Sequence, residues 1–224
     1  MQMNFNVGGA ALNIELTHLV IAGWTGRDAV AITHHIEELA ALGVAPPSDT
    51  PLYYRVSASL LTSAPHVEVV GGNSSGEVEP MIVQLGNRRF LGLGSDHTDR
   101  ALEAHSVALS KQVCAKPCAA ELWAWDEVAN DLERISLESW IEEDGEWVLY
   151  QQGTLASIRP LAELIVGAGL DSLATDGCAA MMCGTFGAKG GVRPATRFRM
   201  RMIDTLLGRE IAHEYTAITL PEVA

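Results

Sequence analysis

The hydrophobic pattern changes period several times along the chain, and each change marks an element. Across residues 4–22 apolar positions first alternate (Phe5, Val7; Leu12, Ile14, Leu16) and then run together at 19–21, the spacing of half-buried and then fully buried β-strand. Between residues 27 and 42 the period lengthens. Ala29 or Val30, Ile32, Ile36, Leu39 and Ala40 recur at helical spacing, Gly43 supplies a stop, and Pro46 and Pro47 follow. Strands are expected again at 52–61, at 66–70, and as a pair at 77–85 and 89–93 around a Gly86-Asn87 turn. Residues 97–111 read as one helix, with Ala101, Leu102, His105, Ala108 and Leu109 on one face and a cap from Ser95 or Asp96. Two strands joined by Asp144-Gly145 lie within 135–150, a helix covers 160–166, and strands return at 179–183, 196–203 and 213–219. Many strands with a few short helices, and no alternating βαβ units, predict a β-rich α+β fold. No repeat, low-complexity tract or linker divides the chain, so residues 1–224 are expected to form one domain, the first 50 supplying strands and the helix.

Composition narrows the function classes. Hydrophobic residues make up 48% of the 224 and charged residues 19%, enough apolar surface for a packed core and too much for a solvated, unfolded chain. Fifteen Lys and Arg face 28 Asp and Glu, a net charge of −13, which opposes binding to a phosphate backbone; nucleic acid is not an expected partner. A small acidic ligand meets the same repulsion, so an anion site needs a local basic island or a bound cation. No apolar stretch approaches the roughly 20 residues of a membrane span, and residues 1–10 lack the basic and apolar regions of a secretory signal. A cytoplasmic protein without membrane attachment is expected. Cys114 and Cys118, and Cys178 and Cys183, lack the spacing of a zinc knuckle and read as small buried hydrophobes.

Candidate chemistry gathers around three acids. Glu77 and Glu79 lie two apart, so on a strand both carboxylates leave one face, either a solvated sheet surface or a ligand pair. Asp96 occupies a Gly94-Ser95-Asp96-His97 corner between a strand and a helix. Three carboxylates without thiolate or paired imidazoles make a hard, oxygen-only set that suits Mg²⁺ or Mn²⁺. On the first helix His35 and Glu38 share a face, and His34 is equally placed above Glu37 and Glu38. Arg197, Arg199 and Arg201 alternate along one strand and read as a sheet surface or subunit contact, Trp123 and Trp125 as core or interface aromatics, and His66 and His105 as packing or surface residues.

The run from Glu77 to Lys116 resembles the metal-binding centre of the fumarylacetoacetate hydrolase superfamily: a Glu-x-Glu strand, an Asn-Asp-x-x-x-Arg-Asp-x-Gln corner and, about twenty residues past the Asp, a Lys. Here the corner reads Ser95-Asp96-His97-Thr98-Asp99-Arg100-Ala101-Leu102-Glu103, and Lys116 lies twenty residues after Asp96, with Lys111 an alternative. Further landmarks follow in order: Tyr150-Gln151-Gln152-Gly153-Thr154, the helix after it, and Gly184-Thr185-Phe186-Gly187, which is similar to a Gly-Thr-Pro-x-Gly substrate loop. Upstream, Gly26-Arg27, His35-Ile36-Glu37-Glu38 and Pro51-Leu52-Tyr53-Tyr54-Arg55 resemble the family's Gly-Arg-Asn-Tyr, His-x-x-Glu and Pro-x-Leu-Phe-x-Lys elements. Ser95, Ala101, Glu103 and Arg55 replace the usual Asn, Asp, Gln and Lys, and the interval from Glu-x-Glu to Asp is shorter than usual.

The resemblance implies a divalent-metal-dependent hydrolase, a homodimer, that cleaves a C–C bond of a small 2-oxo or 1,3-diketo acid. Glu77, Glu79 and Asp96 would hold Mg²⁺ or Mn²⁺. His35 and Glu38 would act on water from a lid, with Lys116 as the third catalytic residue. Arg100, Glu103, Gly184, Thr185 and Arg55 would contact the carboxylate substrate. The same centre admits a decarboxylase, hydratase or isomerase, or a binding protein without turnover.

Overall fold

A computed structural model of the chain describes residues 1–41 and 46–223, without the side chains of Ala31, His34, His35, Glu38, Leu39 and Ala41. The elements begin with β1 (Gln2–Val7), β2 (Ala10–Gly23), α1 (Ala29–Ala41), β3 (Leu52–Val56), β4 (Leu61–Thr62), β5 (His66–Val70), β6 (Ser74–Ser75), β7 (Val78–Leu85), β8 (Arg88–Ser95) and β9 (Thr98–Asp99). They continue with α2 (Arg100–Glu103), α3 (Val107–Gln112), β10 (Lys116–Ala124), α4 (Trp125–Val128), β11 (Ser136–Glu143) and β12 (Glu146–Thr154). The last third holds α5 (Leu161–Gly167), α6 (Leu170–Leu173), β13 (Cys178–Met182), β14 (Arg197–Asp204) and β15 (Arg209–Leu220). This is the expected strand-rich mixture of mixed sheets and short helices.

Two larger sheets organise it. One follows the order β1-β10-β8-β7-β13-β2-β3, and an additional pairing of β1 with β2 closes it on itself as a barrel. The other runs β12-β11-β14-β15-β5. Period-two alternation explains how one set of strands serves two cores. Met81 and Val83 of β7, Phe90 of β8 and Cys118 and Leu122 of β10 point into the barrel with Met3, Phe5, Leu16, Leu19, Ile21 and Met182. The opposite faces, with Val78, Ile82, Leu91, Leu93 and Trp123, pack on Leu137, Ile141, Phe198, Met200, Met202 and Tyr215 of the second sheet. Each such side chain, fully buried, contributes about 1.5–3 kcal/mol of transfer free energy. Gly94 lies on the inward face of β8 because a Cβ there would stand 2.8 Å from Met182 Cε.

Most strands fall close to their expected positions and the hairpin turns at 86–87 and 144–145 are present, but the strand expected over 52–61 is broken into β3 and β4 by a 3-10 turn at Ala58–Leu60, and β10 is a strand where none was expected. The helix expected over 97–111 is corrected: it is two short helices, α2 capped by Asp99 and α3 capped by Ser106, whose side chains accept from Leu102 N and Leu109 N. Two polar residues that bond the backbone locally, one before each apolar run, break the longer periodicity. Leu109, expected on the packed face, is 56% exposed. All four cysteines are free and buried. Arg197, Arg199 and Arg201 share one face of β14, paired with Glu142, Glu214, Glu138 and Glu210. Among the described residues no helix is long and apolar enough to cross a membrane.

Candidate metal centre

The tight β7–β8 hairpin places Glu79 opposite Gly94, and β8 pairs Gly94 with Cys118 of β10. Glu79, Asp96 and Lys116 therefore continue the inward faces of three neighbouring strands to one mouth of the barrel. Glu77 precedes β7, and Asp96 N donates to its carbonyl at 3.0 Å, so the ladder extends by one more link between two of the acids. Ligand oxygens of Glu77, Glu79 and Asp96 all lie within 4.8 Å of one another, the only such acidic, His or Cys grouping among the described residues. The short Glu-x-Glu to Asp interval follows from this hairpin: β7 turns directly into β8 through Gly86-Asn87.

Each acid has a different surrounding. Glu79 is buried; its Oε2 accepts Gly184 N–H at 2.7 Å. Burial, then the charges of Asp96 and Glu77, push its pKa well above the usual carboxylate range, against the opposing pull of Lys111 and the Gly184 N–H. Asp96 is also buried, and burial alone would raise it, but Lys111 and Lys116 outweigh that and hold it below the ordinary aspartate value. Lys111 Nζ donates to Asp96 Oδ2, and Lys116 Nζ stands 3.2 Å from Oδ1 while donating to the His97 carbonyl at 2.5 Å. The Lys116 approach to Oδ1 is an ion pair without hydrogen-bond alignment, so Oδ1 is a buried carboxylate oxygen with no hydrogen-bond partner. A buried oxygen without an aligned hydrogen bond, beside two further carboxylates, fits a hard divalent cation, and Glu77, Glu79 and Asp96 are the residues that would hold it.

Arg100, expected at the substrate, is committed to the protein. Its guanidinium donates to Ser75 Oγ at 2.7 Å and to Glu103 at 2.9 Å and lies 3.3 Å from Glu77 Oε1. Those two acids raise its pKa against the effect of burial. Glu103 is thereby neutralised rather than presented to an anion. Thr185 donates its hydroxyl to Val78 O at 2.6 Å and accepts from Gln151 Nε2, and Gly184 N–H is spent on Glu79. Gly184 has φ +95°, and a Cβ there would overlap Thr25 Oγ1. Arg55 is exposed on β3, on the face opposite Tyr54, whose ring lies 5.7 Å from Lys111 Nζ; the structure does not bring Arg55 to the triad. His35 and Glu38 belong to α1, and their side chains lie outside the described residues.

Several residues that shape the centre were not among the expected site residues. His97 is buried, its Nε2 2.8 Å from Ser74 Oγ and its Nδ1 2.9 Å from the Tyr215 hydroxyl. Burial, then Lys116 and Arg100, lower its pKa to about 3, so the ring is neutral. Gln151 accepts Val78 N–H and donates to Thr185 and Phe186 O, tying β7 to the 184–187 loop. Tyr215 and Gln151 come from the second sheet, and only long-range pairing delivers them.

Comparison with curated proteins gives no match. Among solved structures, a provisionally assigned fumarylacetoacetate isomerase/hydrolase from Oleispira antarctica superposes with a TM-score of 0.66 at 18% identity, covering 96% of this chain and 99% of that one. A 2-keto-3-deoxyarabinonate dehydratase gives 0.65 at 13%, covering 95% and 77%. The fumarylpyruvate hydrolase of Pseudomonas aeruginosa, in complex with Mn²⁺ and pyruvate, gives 0.59 at 15%, covering 99% and 97%. At these identities the likeness establishes a common fold, that of the fumarylacetoacetate hydrolase-like structures. A family model described as "Protein of unknown function (DUF2848)" matches residues 22–215, and by that match the chain belongs to the DUF2848 family.

Proposed function

We propose that the protein is a divalent-metal-dependent enzyme acting on a small 2-oxo or 1,3-diketo acid, with hydrolytic C–C cleavage as its reaction. The observation that carries this reading is the convergence of Glu77, Glu79 and Asp96 at the barrel mouth, with Asp96 Oδ1 buried and met by the Lys116 ion pair without an aligned hydrogen bond. Bound there, Mg²⁺ or Mn²⁺ would act as a Lewis acid toward substrate oxygens. Lys116, buried and anchored on the His97 carbonyl, keeps a positive charge beside Asp96 where substrate negative charge would need stabilising. Burial, together with Lys111, lowers its pKa despite Asp96, which makes it the readier proton donor of the two lysines. Arg100 supports the centre by holding Glu77 rather than by touching substrate.

His35 and Glu38, on the first helix, are assigned to water activation in this proposal, and a homodimer in the cytoplasm completes it. A dehydratase of the same fold favours a second reading, in which the same centre serves hydration, decarboxylation or isomerisation. An assay of acylpyruvates, oxaloacetate and 2-oxo-pentenoates with Mn²⁺ tests both. Hydrolysis of an acylpyruvate that is abolished in His35→Ala supports the first; decarboxylation or hydration that survives His35→Ala supports the second. Metal binding without turnover of any of them contradicts both and leaves a binding protein.

A further inference from the structure

The centre holds two lysines. Lys116 is pinned from two sides, by the His97 carbonyl and by Asp96. Lys111, 6% exposed, projects from α3 and donates to Asp96 Oδ2, with Glu77 and Glu79 close enough to act on its charge. The ammonium is thus bound to one of the three carboxylates that would hold a divalent ion and lies within electrostatic reach of the other two. A further feature sets it apart from Lys116. The Tyr54 ring stands 5.7 Å from Lys111 Nζ, and that ring is fixed by Trp24 Nε1, which donates to its hydroxyl at 3.3 Å. The flexible lysine stem therefore has a second favourable surface, an aromatic face, beside the carboxylates. The backbone that carries it is anchored: Gln112 accepts Ser57 N–H at 2.9 Å, and Ser106 caps the start of α3.

We infer that Lys111 is a built-in rival of the metal: its ammonium and a divalent cation are alternative counter-ions for Glu77, Glu79 and Asp96, so that Lys111 sets the metal affinity of the centre and lowers it. The inference rests on the metal-site reading above and concerns how that site is regulated. Its physical basis is sign. Opposite charges buried together stabilise one another, and Lys111 compensates acids that would otherwise repel. A dication brought to the same carboxylates is repelled by the ammonium, and even at the permittivity of water a single and a double charge about 5 Å apart repel by more than the free energy of a tenfold change in affinity. Removing the charge both relieves that repulsion and leaves the acids seeking a cation. A lysine that merely held Asp96 in place would act with the opposite sign, because its loss would disorder a ligand.

The test is Mn²⁺ titration by calorimetry of the chelator-treated full chain, wild type against Lys111→Met and Lys111→Gln. Glutamine keeps a donor for Asp96 Oδ2 without the charge, and it serves should methionine fail to fold. The inference expects Mn²⁺ to bind either variant at least about tenfold more tightly than wild type, and the chelated variants to melt at lower temperature than chelated wild type. Wild type that shows no measurable binding while a variant binds supports it equally. Variants that bind Mn²⁺ as tightly as wild type, or less tightly, overturn the inference and leave the metal site standing. No binding by wild type or either variant overturns both.

Discussion

The Tyr215 hydroxyl lies 2.9 Å from His97 Nδ1 and 2.9 Å from Ser95 Oγ, joining the second sheet to both residues that flank Asp96. The hydrogens in this chain can be placed. Glu77 N–H donates to Ser95 Oγ, and Ser95 is fully buried, so its own hydrogen has only Tyr215 to meet. Tyr215 then donates to His97 Nδ1, and His97 Nε2–H donates to Ser74 Oγ at 2.8 Å. Nitrogen-15 NMR should therefore show His97 as the neutral Nε2–H tautomer. Tyr215→Phe leaves His97 Nδ1 without a donor and the Ser95 hydroxyl hydrogen without an acceptor, and should cost about 1–3 kcal/mol in urea unfolding. A protonated Nδ1, or a Phe variant as stable as wild type, would contradict this arrangement.

Gly184→Ala should damage stability and metal binding together. The φ of +95° and the overlap with Thr25 Oγ1 oppose any side chain, at a cost of about 1–3 kcal/mol. Relief of that overlap shifts the N–H that holds Glu79. Denaturation and Mn²⁺ titration of the variant check both parts, and a stable variant with unchanged affinity would remove Gly184 from the account.

Asp204 predicts a pH dependence away from the metal centre. Burial would raise its pKa, but bonds from Arg134 and from Leu207 and Leu206 N–H at the β14–β15 turn outweigh that and hold it below the ordinary 3.8. A depressed folded-state pKa gives stability that is complete above the unfolded value and is lost as pH falls through the folded one. The stability difference between wild type and Asp204→Asn should be constant from pH 8 to about pH 5 and shrink below about pH 4. Urea midpoints across that range measure it; a difference that grows on acidification would reverse the sign.

The three acids proposed to hold the metal were legible in the sequence because local rules place them. Glu77 and Glu79 follow strand alternation, and the Gly86-Asn87 turn carries β8 back so that Asp96 returns to their side. The pairing of Arg100 with Glu103 follows from i,i+3 spacing, although the resemblance implied that both contact the substrate. The break between α2 and α3 was hidden because Asp99 and Ser106 compete with a periodicity that spans both. Closure of the barrel by β1 with β2 and β10, and delivery of Tyr215 and Gln151 to the centre, depend on pairings remote in sequence, for which hydrophobic period has no address.

That Glu77, Glu79 and Asp96 hold a divalent cation is tested by calorimetric titration of Mn²⁺ into wild type, Glu79→Gln and Asp96→Asn. Loss of a residue that only orients a ligand costs about 10–100-fold in affinity, so loss of a ligand should cost about 100-fold or more. Wild type should show one Mn²⁺ site, and each folded variant that loss. Undiminished Mn²⁺ binding in both variants, or no binding in wild type and in the Lys111 variants alike, would contradict it.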